Sequence, residues 1–215
     1  MITDINQLDL KKQYTYADYQ TWQLENRVEL INGWVSKIGP APMRKHQEVF
    51  GFMFNQIYNY LADKPAKVYA APFDVKLINK KKKLEEQTII SVVQPDISVI
   101  CDVEKLDAYG CLGSPDWIIE ILNPDNSRKE MKDKHAIYEE NGVREYWIVS
   151  TSHFFVQVYH LLDDKLVQVG LVVNKLLPVS LLPTKLVLKE TYFKGDKIPV
   201  GIFPGFIIDS EKMFA

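Results

Sequence analysis

A chain of 215 residues, 47% hydrophobic and 25% charged, has the bulk and balance for one globular domain with a substantial core, and fits neither a disordered chain nor a membrane-embedded one. Two cysteines, Cys101 and Cys111, are too few for a disulfide framework or a four-ligand zinc site. A net charge of -2 gives no chain-wide cationic field for indiscriminate nucleic-acid binding, so any such contact is local. No run approaches the roughly 20 apolar residues of a bilayer span, and Met1 to Lys12 is too charged for a signal peptide; a cytoplasmic protein is expected.

In chain order, Tyr16 to Leu24 reads as a short helix. Val28 to Val35 reads as two strands joined by Asn32-Gly33, the strongest short hairpin signal, because such residues tolerate φ > 0. From Met43 to Leu61, the residues Val49, Phe50, Met53, Phe54, Ile57, Tyr58 and Leu61 recur at helical spacing and predict the first core helix. Val68 to Ile78 alternates as a strand and Thr88 to Val93 resumes the β-branched composition, so the two are expected to pair as one long hairpin, with Lys80 to Lys83 at a solvated tip. Asp96 to Ile100 and Trp117 to Leu122 are short apolar strands suited to the middle of a sheet, separated by a polar loop containing Gly110, Gly113 and Pro115. A second helix runs from about Ser127 to Glu140 and is stopped by Asn141-Gly142, after which Glu145 to Val149 returns as a strand. The last third, with Phe154 to His160, Leu166 to Val173 and Lys185 to Leu188, reads as strands and turns without repeat or linker, so residues 1–215 are expected to form a single α/β domain.

The chemistry gathers between Asp96 and Tyr138. Glu120 interrupts the otherwise apolar Trp117-Ile118-Ile119-Glu120-Ile121-Leu122, where an ionised carboxylate needs a cation or donors to offset its desolvation. Asp96 heads another apolar strand, and a sheet that sets the two strands side by side brings both carboxylates to one metal ion. Asp116 is a poorer partner for Glu120, since four residues of extended strand span roughly 13 Å. At about 100° per residue, Lys134 falls between Ile137 and Tyr138 on the arc shared with Met131, an inward position that calls for an anion. Two carboxylates able to hold Mg²⁺ or Mn²⁺ and a lysine able to orient water or offset developing charge suit phosphodiester hydrolysis.

The order Gln94-Pro95-Asp96-Ile97-Ser98-Val99, then Gly113-Ser114-Pro115-Asp116-Trp117-Ile118-Ile119-Glu120-Ile121-Leu122-Asn123-Pro124, then Lys134 with Tyr138, then Gly142-Val143-Arg144-Glu145-Tyr146-Trp147-Ile148-Val149, resembles the Uma-two family of restriction endonucleases. The resemblance runs from Tyr14 to Val158 and includes Val28 to Gly33, His46-Gln47 and Phe73-Asp74-Val75, with Phe203-Pro204-Gly205-Phe206 similar to the family's C-terminal strand. It implies the PD-(D/E)XK nuclease superfamily: a restriction-endonuclease-like mixed β-sheet flanked by helices, here with extra β-hairpins, that cuts DNA with a divalent metal. On that basis Asp96 and Glu120 are the expected metal ligands, Asp96, Glu120 and Lys134 the catalytic set, and Glu29, Asp74 and His46 additional candidates. The superfamily's usual lysine, two residues after the acid, falls here at Leu122, so Lys134 supplies the charge from the helix instead. Asn123 and Ser150 also depart from the family pattern, at positions to which no metal-binding role is assigned.

Each residue also has a plainer reading. Glu120 and Lys134 can form a buried structural ion pair, Asp96 can cap a turn, Glu29 and Asp74 can sit solvated at strand ends, and His46 can cap a helix. Tyr146 and Trp147 open an apolar strand and are expected in the core. The two alternatives to a DNA endonuclease are accordingly a noncatalytic module that keeps the fold, and a metal-dependent hydrolase of a small phosphorylated substrate. Homodimerisation is compatible with the apolar C-terminal strands and with a cutter of two strands.

Overall fold

The computed structural model describes residues 2–39, 41–78, 89–123, 128–162 and 185–215. A short helix α1 (Tyr16–Tyr19) is opened by Thr15, whose hydroxyl accepts from the Asp18 amide while the Asp18 carboxylate accepts from the Thr15 amide, a reciprocal cap. It leads to β1 (Val28–Ile31) and β2 (Trp34–Lys37), whose register centres on Ile31 opposite Trp34. Asn32 and Gly33, with φ of 52° and 82°, supply the left-handed turn that this hairpin requires. Helix α2 (Arg44–Leu61) follows; of the stripe its spacing predicts, it buries Val49, Met53, Ile57 and Leu61, packs Phe50 and Phe54 half-buried against the same core, and leaves Tyr58 exposed.

Val68 to Ile78 is not one strand. It divides into β3 (Lys67–Ala70) and β4 (Asp74–Ile78), which belong to different sheets, with Pro72 between them. Proline brings no amide hydrogen to a ladder, so the chain leaves one sheet here and enters the other. Only β4 pairs with β5 (Ile89–Val93), which shortens the expected hairpin; its lysine tip lies outside the described residues. Strand β6 (Ile97–Ile100) matches expectation. The expected polar loop after it holds two further short strands, β7 (Leu106–Asp107) and β8 (Gly110–Leu112), whose two and three residues are too few to show a period in sequence.

Strand β9 (Trp117–Leu122), helix α3 (Arg128–Asn141) and β10 (Glu145–Ser150) form a strand-helix-strand unit in which β9 and β10 are parallel, with Glu120 opposite Ile148. Gly142, at φ 80°, ends the helix where predicted, and the Val143 amide donates to the Tyr138 carbonyl across it. Strand β11 (Phe155–Leu162) pairs antiparallel with both β10 and β12 (Lys185–Phe193); the strand expected over Leu166 to Val173 lies outside the described residues. Near the C-terminus, β13 (Lys197–Pro199) and β14 (Ile207–Asp209) form a hairpin before α4 (Ser210–Met213). Phe203 to Phe206 is thus the turn between two strands rather than a strand itself, with Gly205 at φ 86°.

Two six-stranded sheets result, ordered β12-β11-β10-β9-β6-β3 and β2-β1-β5-β4-β8-β7. The first is mixed and central. Its Trp117, Ile119, Ile121, Trp147 and Val149 face α2 and the C-terminal hairpin, and the Trp117 and Trp147 rings meet edge to face at 4.8 Å. Its other face presents Ile118, Tyr146 and Ile148 to Ile137 and Tyr138 of α3 and to Val75, Leu77 and Val93 of the second sheet. The architecture is the expected mixed α/β one, but the outlying hairpins have merged into a second full sheet.

Candidate active site

Alternation along β9 decides where the acid goes. Since Trp117, Ile119 and Ile121 face α2, Glu120 shares the opposite side with Ile118 and points toward α3. Strand β6 runs antiparallel beside it with Ile97 opposite Ile119, so extending that register by one residue sets Asp96 opposite Glu120. The pair is tied directly: the Ile121 amide donates to Asp96 Oδ2 at 2.7 Å.

Helix α3 closes over this end of the strands. Lys134 is buried beside Ile137 and Tyr138, as the helical angle predicts, while Lys132 and Glu140 are exposed. Its Nζ lies 3.1 Å from Glu120 Oε1 and 3.0 Å from Glu29 Oε1. One turn further on, Tyr138 donates to the same Glu120 Oε1 at 2.6 Å. The lysine beside Glu120 thus comes from the helix, not from the position two residues after the acid, which is Leu122.

Glu29 enters from β1, where a four-residue strand is wholly buried, and its Oε1 also accepts from the Gln94 amide at 2.8 Å. The Gln94 side chain in turn donates to Asp74 Oδ1 at 2.8 Å. Asp74 therefore reaches the centre only through Gln94, and it does not line the cavity that the other acids share. His46, from the first turn of α2, is buried with Nε2 3.4 Å from Asp96 Oδ1; its Nδ1 has no hydrogen-bond partner among the described residues.

Glu29, His46, Gln94, Asp96, Glu120 and Lys134 line a cavity of about 490 Å³, with the acids at its floor. Its rim takes Arg27 and Lys37 from the open end of the β1–β2 hairpin and Gln47 and Phe50 from α2. Electrostatics at the floor are strained. Burial raises the Glu120 pKa to about 7, opposed by Lys134 and reinforced by Asp96 and Glu29. For Lys134, burial favours the neutral amine, but the Glu120 and Glu29 carboxylates outweigh it and hold its pKa above the usual lysine value. Burial also raises Asp74, and Tyr138 stays firmly protonated and a donor.

The hydrogen bonds divide each carboxylate into two unlike oxygens. Glu120 Oε1 takes both Lys134 and Tyr138, while Oε2 accepts no hydrogen bond among the described residues. Asp96 Oδ2 takes the Ile121 amide, while among the described residues Oδ1 is approached by His46 Nε2 at 3.4 Å, too long for a good hydrogen bond. Two such oxygens on neighbouring strands suit Mg²⁺ or Mn²⁺, which bind through one or two carboxylates and keep several waters. A closed cage does not fit, since no group of three or more His, Cys, Asp or Glu side chains among the described residues is arranged to hold an ion unaided.

Sequence reasoning brought together Asp96, Glu120 and Lys134. It assigned no role to Tyr138, although its spacing of four from Lys134 places both on one helical face, and none to Gln94, whose amide and side chain link Glu29 to Asp74. Arg27 and Lys37 carry no local sequence signal; only the hairpin register, with Val28 opposite Lys37, shows that they meet at one rim. Asp116 is bound elsewhere, accepting from the Cys101 amide at 2.8 Å and from Arg144 at 3.2 Å.

The result is a mixed sheet flanked by helices, with acids on adjacent strands at one end and an open cavity above them. A crystal structure of a "putative nuclease" from Anabaena variabilis superposes with a TM-score of 0.64 over 94% of this chain and 97% of that one, at 18% identity, a likeness of fold. Residues 16–189 match the Uma2 family, described as "Putative restriction endonuclease", and the chain belongs to that family. No curated protein matches the chain. Among the described residues no helix is long and apolar enough to cross a membrane.

Proposed function

We propose that the protein is a metal-dependent endonuclease that hydrolyses DNA phosphodiester bonds, with Asp96 and Glu120 as the ligands of Mg²⁺ or Mn²⁺. One observation carries the reading: two carboxylates on adjacent strands each have one oxygen that accepts no hydrogen bond among the described residues, beside a buried lysine at the floor of an open cavity. Such an ion, when bound, sets positive charge against the phosphate oxygens where negative charge develops.

The protein's own groups do the rest. Tyr138 and Lys134 fix Glu120 through one oxygen and turn the other outward. The Ile121 amide does the same for Asp96. The Glu120 and Glu29 carboxylates favour the ammonium form of Lys134, the form that donates hydrogen bonds and carries a positive charge. Its role is that of a donor and a fixed charge, orienting the attacking water and stabilising the crowded anion of the transition state. Glu29 and the Gln94 amide keep the ammonium over Glu120.

The test is cleavage of supercoiled plasmid and of single-stranded DNA with Mg²⁺ or Mn²⁺, comparing wild type with Asp96→Ala, Glu120→Ala and Lys134→Ala of verified folding. Cutting by the wild type alone supports the assignment; cutting that persists in the variants refutes it. A second reading has an observation in its favour, since Lys134 is matched to two glutamates in the manner of a structural ion-pair network. A noncatalytic module of that kind gains no stability when Mg²⁺ or Mn²⁺ is added.

A further inference from the structure

Resting on the nuclease reading, we infer that the cavity receives an unpaired nucleic-acid strand rather than the face of an intact duplex, with Arg27 and Lys37 taking its phosphates and Phe50, Phe54 and Tyr58 of α2 its bases. Three features of the molecule converge on this. The first is depth. The Lys134, Glu120 and Asp96 side chains are only 9%, 13% and 23% exposed, so a scissile phosphate must enter the cavity rather than lie across its mouth. A flexible single backbone can dip to that floor. In a rigid duplex the stacked neighbours and the opposite strand hold the phosphate out.

The second is charge. Glu29, Asp96 and Glu120 outnumber Lys134 at the floor, which repels a phosphodiester except where cations offset them. Arg27 and Lys37 are exposed side chains on the rim of this same cavity, brought together by the hairpin register. They give two local phosphate contacts on a chain with no general basic field.

The third is the aromatic row. Phe50 lines the cavity, and Phe54 and Tyr58 continue from it at four-residue spacing along α2. Their ring centroids are 5.7 and 6.2 Å apart and their planes within 23° and 20° of parallel. Tyr58 is 60% exposed, and its neighbours Asn55 and Asn59 on the outer side are exposed and uncharged. From Phe50 to Tyr58 the helix advances about 12 Å, room for roughly two nucleotides leaving the cavity. Bases with their π-faces free can use such a row whatever their sequence, whereas bases paired inside a duplex cannot.

The decisive experiment is fluorescence anisotropy of the full chain with labelled single-stranded and duplex oligonucleotides of one sequence, in Ca²⁺ without Mg²⁺, beside cleavage of both in Mn²⁺. The expected result is single-strand binding and cutting about tenfold favoured over duplex. Tyr58→Ala, at an exposed position where folding is not at risk, lowers single-strand affinity by several-fold. Phe50→Leu, which keeps apolar bulk, loses affinity that Phe50→Trp, which keeps a ring, retains. Arg27→Ala and Lys37→Ala each reduce the salt dependence of binding by about 0.7 in log–log slope. Equal or better binding and cutting of duplex overturns the inference and leaves the nuclease reading standing. No cutting and no binding of either form overturns both. A Tyr58→Ala protein that sediments as a smaller species than wild type, with single-strand affinity unchanged, assigns the aromatic row to a second copy of the chain and also overturns the inference.

Discussion

Two little-exposed glutamates sit toward opposite ends of neighbouring parallel strands, and they behave differently. Glu145, at the start of β10, is 0% exposed; its Oε1 accepts from Trp147 Nε1 at 2.7 Å and the Gly201 amide at 3.2 Å, its Oε2 from the Ile202 amide at 2.8 Å. Both oxygens of that carboxylate accept hydrogen bonds, two of them from the C-terminal segment, which they tie to the central sheet. Glu120, on β9, is nearly as buried, yet both of its donors land on a single oxygen. The distribution of donors separates the two acids more than depth does, because an oxygen left over beside a cavity is one that a ligand can complete.

The sharpest way to break this contrast is to exchange the consequences of removing each acid. Glu120→Ala, Asp96→Ala and Lys134→Ala are expected to lower DNA cleavage by about 10²–10³-fold or more, the scale of losing a group that stabilises transition-state charge, while circular dichroism shows a native fold. Glu145→Ala is expected to do the opposite. It strands the Gly201 and Ile202 amides and Trp147 Nε1, and urea denaturation should show a loss of about 3 kcal/mol with the affinity for Mg²⁺ unchanged.

Divalent cation sharpens the same contrast. At about 100 times its Kd, Mg²⁺ should stabilise the wild type by about 2.7 kcal/mol in thermal unfolding, and should do nothing for Asp96→Asn or Glu120→Gln. Proton linkage gives a third comparison. Because the Glu120 pKa is raised from 4.5 to about 7 in the folded state, the native protein holds a proton between those values that the unfolded chain has released. Stability contributed by this group is therefore fully present below about pH 4.5 and is lost as pH rises through about 7. The difference in unfolding free energy between wild type and Glu120→Gln, followed by urea titration across that window, should slope downward and flatten above it. The smallest effect is expected at Asp116, whose partner Arg144 is 58% exposed: Arg144→Ala should cost less than about 1 kcal/mol and leave cleavage untouched.

Much of this centre was legible in the chain. Glu120 stood out because a carboxylate interrupts an apolar strand, and Lys134 because the helical angle turns it inward; both inferences use periodicity, which the fold obeys at β9 and α3. Asp96 followed once β6 and β9 were set side by side. Glu29, Asp74 and His46 were named only through family likeness, and their unequal distances from the floor depend on sheet order, which periodicity does not encode. The second sheet was hidden for a similar reason. Val68 to Ile78 has the composition of one strand, and only the ladder partners on either side of Pro72 reveal that its halves part company. Tyr138 was visible as a core residue but not as a donor, since the pattern that buries a tyrosine ring does not say where its hydroxyl ends.

The amide that holds Asp96 belongs to Ile121, the residue immediately after the acid Asp96 faces. Alignment of β6 with β9 and assembly of the two acids are consequently the same event. Were β9 to slide by a single residue, its side chains would exchange faces, Glu120 would be thrust among the tryptophans beneath the sheet, and Asp96 would lose its anchor in the same motion. A chain paired out of step thus cannot bring the two acids together, and the floor of the cavity forms only once the centre of the sheet has been put together correctly.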